Sequence, residues 1–255
     1  MFEPLSTGVY KYLMQLDWGI QKLILETRFA DGYLYWDKTG HAARRLLAHN
    51  PAFEVSTATP SELILQDDKA QITVALSPQH SNVNIDRHER SKKDTLADFT
   101  SICGLVADIV FNDFQIKNVT RLGNRMTFAV KVASVEQSKA QILQVAEKSK
   151  LTGGFLSRAK DERLRNRKLK EITHRYEDDK LGMTLTLKTV RTQYNIKGPY
   201  SQEAAAVLPA AQVLTILDID VYTVGLLPTD RVLTDEFIQT NIRMVETQIF
   251  PLVEV

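Results

Sequence analysis

The sequence predicts an α+β protein in which one extended antiparallel sheet carries helices on one face. Residues 94–113 and 234–250 carry apolar residues at spacings of four, three and four, which is typical of amphipathic helices. The two apolar stripes consist of Phe99, Cys103, Val106 and Val110, and of Ile238, Ile242, Val245 and Ile249. Strand-like runs with alternating polarity lie between these helices. Each apolar stripe must be buried against a sheet, so the two helices require either two sheet faces or one long sheet face.

The first half of the protein, residues 18–113, follows a short lead-in at residues 1–17. Residues 20–29 are a predicted strand, and residues 36–50 a predicted helix. This helix ends before Pro51, because proline disfavours the helical conformation in the residue that precedes it. Three strands then lead to the helix of the first stripe, at residues 61–67, 70–77 and 82–89.

The second half, residues 114–255, repeats this order. A strand is predicted over residues 124–132 and a helix over residues 134–150, where Ser134 and Gln137 have the spacing of a capping box. Three strands follow at residues 173–178, 181–189 and 212–224, and the last helix is predicted to begin at Thr234. A basic insertion at about residues 155–172 is predicted to form a mobile loop or a short helix.

We therefore interpret the chain as two similar β-α-β-β-β-α halves that arose by internal duplication. Residues 67–76 align without gaps to residues 178–187, and residues 83–86 align to residues 217–220. The alternative is that strand and helix patterns recur in α+β proteins without any duplication.

The alternating strands predict a buried sheet face toward the helices and a polar face away from them. The predicted buried set is Ile72, Val74, Leu76, Val83, Ile85, Met183, Leu185, Leu187, Leu217, Ile219 and Val221. The predicted polar set is Thr73, Asn84, Asp86, His88, Thr184, Thr186, Asp218, Asp220 and Tyr222.

Composition narrows the class of protein. Lys and Arg total 32 and Asp and Glu total 31. The net charge of +1 therefore does not indicate a protein that binds a polyanion over most of its surface. The one cysteine, Cys103, excludes a disulfide framework and a cysteine-rich zinc site, and its place on an apolar stripe predicts a buried side chain. The sequence shows no secretory signal and no apolar run of about 18 residues. We expect a cytoplasmic protein with no membrane partner and no cofactor.

One candidate site is acidic and lies on the polar face. Carboxylates and a histidine on one sheet face can hold a divalent cation through oxygen ligands. This candidate metal site consists of Asp86, His88, Asp218 and Asp220. The alternative is a solvated face, or structural pairing with Arg87, Arg90 or Arg121.

A second candidate site is a basic run that can neutralise the phosphates of a nucleic acid or another polyanion. The run consists of Arg158, Lys160, Arg163, Arg165, Arg167, Lys168, Lys170 and Arg175. The alternative is a solvated charged surface, because the run lacks the interleaved aromatic residues that stack on bases.

Recognised catalytic motifs are missing from the sequence, among them GxSxG, the P-loop, GxGxxG and HExxH. The five histidines show no metal-ligand spacing. The pairs Asp67–Asp68 and Asp178–Asp179 are explained by turn chemistry, since aspartate stabilises tight turns. The sequence therefore favours a protein that is not an enzyme.

Two resemblances add to this interpretation. The element order resembles the duplicated saddle of the TATA-box-binding-protein-like fold, which implies an open concave sheet face. Residues 120–126 and 217–222 resemble two short sequence segments of a sporadically distributed bacterial family of uncharacterised proteins. Met126 stands where that family has an aromatic residue. The family resemblance implies an accessory role in a mobile or defence-type system.

The leading functional hypothesis is a non-catalytic binding or interaction module. Its partner is a protein or a nucleic acid, which it engages through the concave face or the basic run. The alternative is a small-ligand-binding or divalent-metal-dependent enzyme that uses the polar sheet face.

Overall fold

The computed structural model describes residues 18–86, 91–151, 161–165, 171–192, 211–225, 227–228 and 231–253. The strands of the first half are β1 (Gly19–Phe29), β2 (Glu54–Ala58), β3 (Leu63–Asp67), β4 (Ile72–Leu76) and β5 (His80–Asp86). Those of the second half are β6 (Asn118–Val132), β7 (Asp161–Arg165), β8 (Glu171–Glu177), β9 (Leu181–Arg191), β10 (Val213–Thr223) and β11 (Leu227–Pro228). The helices are α1 (Tyr35–His49), α2 (Lys92–Asp108), α3 (Val135–Leu151), α4 (Arg231–Met244) and α5 (Phe250–Val253). Short π-helical segments, Ile109–Asp113 and Val245–Ile249, continue α2 and α4.

The described strands form one antiparallel sheet, so the predicted fold class is confirmed. Its order is β2-β3-β4-β5-β1-β6-β10-β9-β8-β7, and β11 pairs with β6. Strands β1 and β6 lie side by side in the middle of the sheet and pair along most of their length. In the first half the element order is a strand, a helix, four strands and a helix, and the second half repeats this order with the two-residue strand β11 added before its last helices.

The first half therefore has one more strand between its helices than the sequence predicted, β2, and the second half has two more, β7 and β11. Strands β2 and β7 are the two ends of the sheet order. Strand β2 is exposed along nearly its whole length, so it shows none of the alternation by which a half-buried strand is recognised. Strand β7 lies inside the basic insertion, so the prediction of a loop or short helix is wrong for residues 161–165.

The sheet face that packs against the helices, here called the inner face, is buried as the sequence predicted. All eleven residues of the predicted buried set are at most 3% exposed, and so are all eight residues of the two helical stripes. Helix α2 packs on β1 and β5 and contacts α4, which packs on β6. Cys103 is a free, fully buried thiol whose pKa is raised well above its usual value, chiefly by burial. Across the described residues, no helix is both long enough and apolar enough to cross a membrane.

Most element boundaries agree with the sequence. Helix α1 ends at His49 with Asn50 as its C-cap, and the Ser134 Oγ accepts a hydrogen bond from the Gln137 N–H at 3.1 Å. Strand β6 begins six residues earlier than predicted. The segment around Gly123 has low strand propensity, but its pairing with β1 and β10 overrides that preference. Helix α4 begins at Arg231, three residues before the predicted start.

The strand registers restrict the proposed alignment of the two halves. Ile72 pairs with Ile85, whereas Met183 pairs with Val221. The sequence alignment equates Ile72 with Met183 but Ile85 with Ile219. The two aligned segments therefore cannot be combined without a shift of two residues between them.

Turn chemistry at the predicted aspartates is confirmed. The Asp178 Oδ1 accepts hydrogen bonds from the N–H groups of Lys180 and Leu181, both at 2.8 Å, and its Oδ2 accepts one from the Tyr176 hydroxyl at 2.6 Å. Asp67 likewise accepts a backbone N–H within its own turn. The Tyr176 bond, followed by the two backbone bonds, lowers the pKa of Asp178 to about 2.

We expect this turn to make the protein sensitive to acid. Because the folded-state pKa of Asp178 is depressed, its stabilising contribution is present above the ordinary pKa of 3.8 and is lost as the pH falls toward about 2. The substitution Asp178→Asn should therefore flatten the dependence of unfolding free energy on pH between about pH 4 and pH 2. Urea titrations across that range measure it, and an unchanged slope would contradict the assigned pKa.

Candidate functional site

The sheet face away from the helices, here called the outer face, is polar and accessible. It is built by alternate residues of β5, β1, β6, β10, β9 and β8, which are neighbours in the sheet. The described members of the predicted polar set are all half-buried on this face. Register places Asp86 beside Lys22, Lys22 beside Thr127, and Thr127 beside Asp218. The outer face is therefore a continuous polar surface that crosses the central strand pair.

Cross-strand ion pairs neutralise much of the outer face. Lys22 Nζ lies 2.9 Å from Asp86 Oδ1. Arg125 binds Asp218 through two bonds, Nε to Oδ1 at 2.8 Å and Nη2 to Oδ2 at 2.5 Å, and this pairing raises the pKa of Arg125. The Arg125 side chain is 51% exposed, so such a pair contributes only about 0.2–1 kcal/mol to stability.

A second group of side chains, the Arg121–Tyr222 cluster, is more closely interlocked. Arg121 Nη2 donates to Asp220 Oδ2 at 3.3 Å, and its Nη1 lies 3.8 Å from Glu26 Oε2. The guanidinium carbon of Arg121 is 4.8 Å from the centroid of the Tyr222 ring, which is a cation–π geometry. The Tyr222 hydroxyl donates to Glu177 Oε2 at 3.1 Å. Four strands thus contribute to one network.

Two glycines flank Tyr222 in the sheet and make room for this cluster. Gly123 on β6 and Gly182 on β9 are both register partners of Tyr222. A Cβ atom on Gly182 would lie 2.2 Å from Cζ of the Tyr222 ring, far inside van der Waals contact. The ring therefore covers Gly182 directly, and any larger residue there must displace it.

Burial within the cluster favours uncharged forms of two groups. Desolvation raises the pKa of Asp220, against the opposing effect of Arg121 and Arg125. Desolvation also raises the pKa of Tyr222, and its bond to Glu177 adds to that shift. Tyr222 consequently remains a protonated phenol that donates to Glu177.

A groove lies along the end of the outer face at which the cluster sits. One part has a volume of about 630 Å³ and is lined by Glu26, Arg28, Phe29, Ala30, Gln79, His80 and Thr120. The other has a volume of about 730 Å³ and is lined by Thr120, Arg121, Arg175, Tyr176, Glu177, Thr184, Tyr222, Thr223, Val224 and Gly225. The two cavities share Thr120 and lie next to each other, and we call them together the Thr120 groove.

The structure does not bring Asp86 together with Asp218 and Asp220, the described acids of the candidate metal site. Asp86 lies on β5 and is separated from Asp218 and Asp220 on β10 by β1 and β6, a distance of about 14 Å at the usual strand spacing. Within the described residues, no group of three His, Cys, Asp or Glu side chains could hold a metal ion. His88 lies outside those residues, so the metal hypothesis stays a prediction. The alternative of structural pairing is observed for Asp220, which pairs with Arg121.

The basic run is only partly within the described residues. Arg175 lies exposed on β8, and the backbones of Arg163 and Arg165 belong to β7. The remaining members, Arg158, Lys160, Arg167, Lys168 and Lys170, lie outside the described residues. None of the ion pairs between described residues includes Arg175.

Comparison with family models and with curated protein sequences gives no relative from which a function could be transferred. The chain matches no protein-family model and no curated protein sequence. The resemblances stated above therefore stay predictions.

Sequence reasoning missed the Arg121–Tyr222 cluster as a unit. Alternation placed Tyr222 on the polar face, but Gly182 gave no signal of its own. The signal that could have identified the pair is the combination of an aromatic residue with cross-strand glycines, and it becomes visible only once the register is known.

The contact between Gly182 and Tyr222 predicts a change of sign in a double-mutant cycle. We expect Gly182→Ala to lower the unfolding free energy by about 1–3 kcal/mol, because the new methyl group displaces the ring. In a Tyr222→Ala background the same change should be neutral or stabilising by about 0.5–1 kcal/mol, because glycine is unfavourable within a strand. Urea denaturation of the four proteins measures the cycle, and equal effects in both backgrounds would refute the contact.

Proposed function

We propose that this protein is a non-catalytic binding module that engages a macromolecular partner, a nucleic acid or a protein, through the outer face. The observation that supports this proposal best is the outer face itself. The described helices that pack on the sheet cover its inner face, and the opposite face presents polar side chains from six adjacent strands. A surface of this extent suits contact with a large partner better than enclosure of a small substrate.

The pairing of carboxylates supports binding over catalysis. On the described outer face, each of five carboxylates already has a partner that holds it in place. These carboxylates are Glu26, Asp86, Glu177, Asp218 and Asp220. A general acid or base needs a proton-transfer position open to a substrate, whereas paired groups fix the shape and charge of a surface.

We also infer that the two halves descend from one ancestral unit. The symmetric order of elements about β1 and β6 supports this inference, although the registers require a two-residue shift between the aligned segments. A duplicated unit explains how the sheet became wide enough to offer an extended outer face. The family resemblance extends the proposal to an accessory role in a mobile or defence-type system.

The proposed function is tested by obstructing the outer face without changing its charge. The variant Thr127→Tyr/Thr186→Tyr places two aromatic residues on either side of Asp218 in one row of the sheet, and tyrosine suits a strand. The matched control is Ser101→Tyr/Thr240→Tyr, two exposed positions on α2 and α4. Tagged full-length proteins are purified from cells without nuclease, and copurifying nucleic acid and protein are quantified.

We expect the obstructed variant to recover at least about tenfold less of the partner, as expected when about 1.4 kcal/mol of binding is lost, and the control to recover as much as the wild type. Equal recovery by both variants would contradict the proposal. Binding of a small molecule without a macromolecule, seen by native mass spectrometry, would instead favour the alternative function.

That alternative, a small-ligand-binding protein or enzyme, is favoured by one observation. The larger part of the Thr120 groove has a volume of about 730 Å³, within the range of about 300–1,000 Å³ that is usual for small-molecule sites. This candidate predicts that a metabolite copurifies and that Tyr222→Ala releases it.

A further inference from the structure

The Thr120 groove runs across the strands of the sheet. It begins at His80 on β5, passes Arg28 on β1 and Arg121 on β6, and reaches Tyr222 on β10 and Arg175 on β8. From β5 to β8 there are five strand spacings, which correspond to a length of about 24 Å. The groove is therefore long enough for an extended chain.

The charged side chains along the groove differ in how far neighbouring side chains already pair with them. Arg28 and Arg121 both lie beside Glu26, so their charges are largely compensated. The Glu177 carboxylate accepts a hydrogen bond from the Tyr222 hydroxyl and keeps its negative charge. Arg175 is the cation of the groove that takes part in no ion pair with another described residue. Among the described side chains, the β8 end of the groove thus carries one cation without an ion pair, Arg175, with Glu177 two residues along the same strand.

Strand β8 pairs with β7, in which two acidic residues, Asp161 and Glu162, balance Arg163 and Arg165. The register places Asp161 beside Arg175 and Arg163 beside Thr173. The cation that the groove itself offers to a polyanion is therefore Arg175.

The middle of the groove carries side chains of the kind that bind unpaired nucleotides. Thr184 supplies a hydroxyl group that can donate to a phosphate oxygen, whereas the Thr120 hydroxyl already donates to the Arg28 carbonyl oxygen at 3.1 Å. The Arg121 guanidinium is held against the Tyr222 ring and remains 29% exposed. Arginine planes and aromatic rings are the surfaces on which unstacked bases stack.

We propose that the Thr120 groove binds single-stranded nucleic acid, with phosphates at Arg175 and a base against the Arg121–Tyr222 cluster. This inference rests on the proposed function and names its partner. Single strands are favoured over duplexes because the groove combines a backbone-tracking cation with a stacking surface, and a duplex keeps its bases stacked inside.

Binding is tested with full-length protein and a fluorescein-labelled oligothymidylate of about 20 nucleotides, a length that exceeds the usual site of about 4–16. A duplex of the same length is the comparison, and fluorescence anisotropy is recorded between about 50 and 200 mM salt. The test variant is Arg175→Gln. The control is Arg44→Gln, an exposed arginine on α1.

We expect tighter binding of the single strand than of the duplex. Arg175→Gln should weaken it about fivefold at 0.1 M salt and lower the salt slope by about 0.7, which is the contribution of one phosphate contact. The control should match the wild type. Absence of oligothymidylate binding, equal weakening by both variants, or binding independent of salt would overturn the inference. If Thr127→Tyr/Thr186→Tyr still abolishes capture of a protein partner, the proposed function survives that result.

Discussion

Replacing Phe128 by alanine is expected to lower the unfolding free energy by about 3–5 kcal/mol, the usual loss for a buried phenylalanine. Phe128 is 1% exposed and lies on β6, in the middle of the sheet. Its ring meets Phe250 edge to face, with centroids 5.1 Å apart. The alanine variant would leave a cavity between the sheet and the C-terminal helix α5. Urea denaturation followed by tryptophan fluorescence measures the loss.

The neighbouring residue provides the control for this prediction. Thr127 points to the outer face, where its hydroxyl donates to Asp218 Oδ1 at 3.2 Å. We expect Thr127→Ala to cost no more than about 1 kcal/mol, the value of one hydrogen bond. Similar losses in the two variants would show that inner and outer faces have been assigned incorrectly.

Replacing Asn124 by valine is expected to raise the unfolding free energy by about 1–3 kcal/mol, the penalty of a buried amide without partners. Asn124 is fully buried on β6, between Leu25 and Val221, and neither polar atom of its side chain has a hydrogen-bond partner within the described part of the chain. Valine is similar in size and favours strands. Thermal and urea unfolding of the purified variant measure the gain.

Asn84→Val is the matched control, because Asn84 is half-buried on the outer face and donates to Asp86 Oδ2 at 2.8 Å. That change removes a bond and should cost about 0.5–1.5 kcal/mol. A loss of stability in Asn124→Val would mean that the buried amide is hydrogen-bonded in solution, and the predicted gain would then be refuted.

The buried face of the sheet could be predicted from the sequence because strand side chains alternate with a period of two. Residues such as Val74, Leu185 and Ile219 follow that period, and each is at most 1% exposed. Strands β2 and β7 could not be recognised in this way. They form the ends of the sheet order. Strand β2 is exposed on both faces, and four of the five residues of β7 are charged, so neither sequence has an alternation to detect.

The candidate site could be predicted less well from the sequence. Arg121, Gly182 and Tyr222 are far apart in the chain and meet only through the registers of β6, β10 and β9. Register depends on pairing across the whole sheet, and a shift of one residue would turn each of these residues to the other face. The acidic residues of the proposed metal site show the same limitation, because their shared polarity did not reveal that two strands separate Asp86 from Asp218.

Carbene footprinting of the free protein, read residue by residue by mass spectrometry, tests most directly whether the sheet has one covered and one open face. We expect labelling at the outward residues Thr184 and Tyr222 of β9 and β10, and none at their inward neighbours Leu185 and Val221. Labelling of the inward residues, or protection of the outward ones in the free protein, would contradict the open outer face on which both proposals rest.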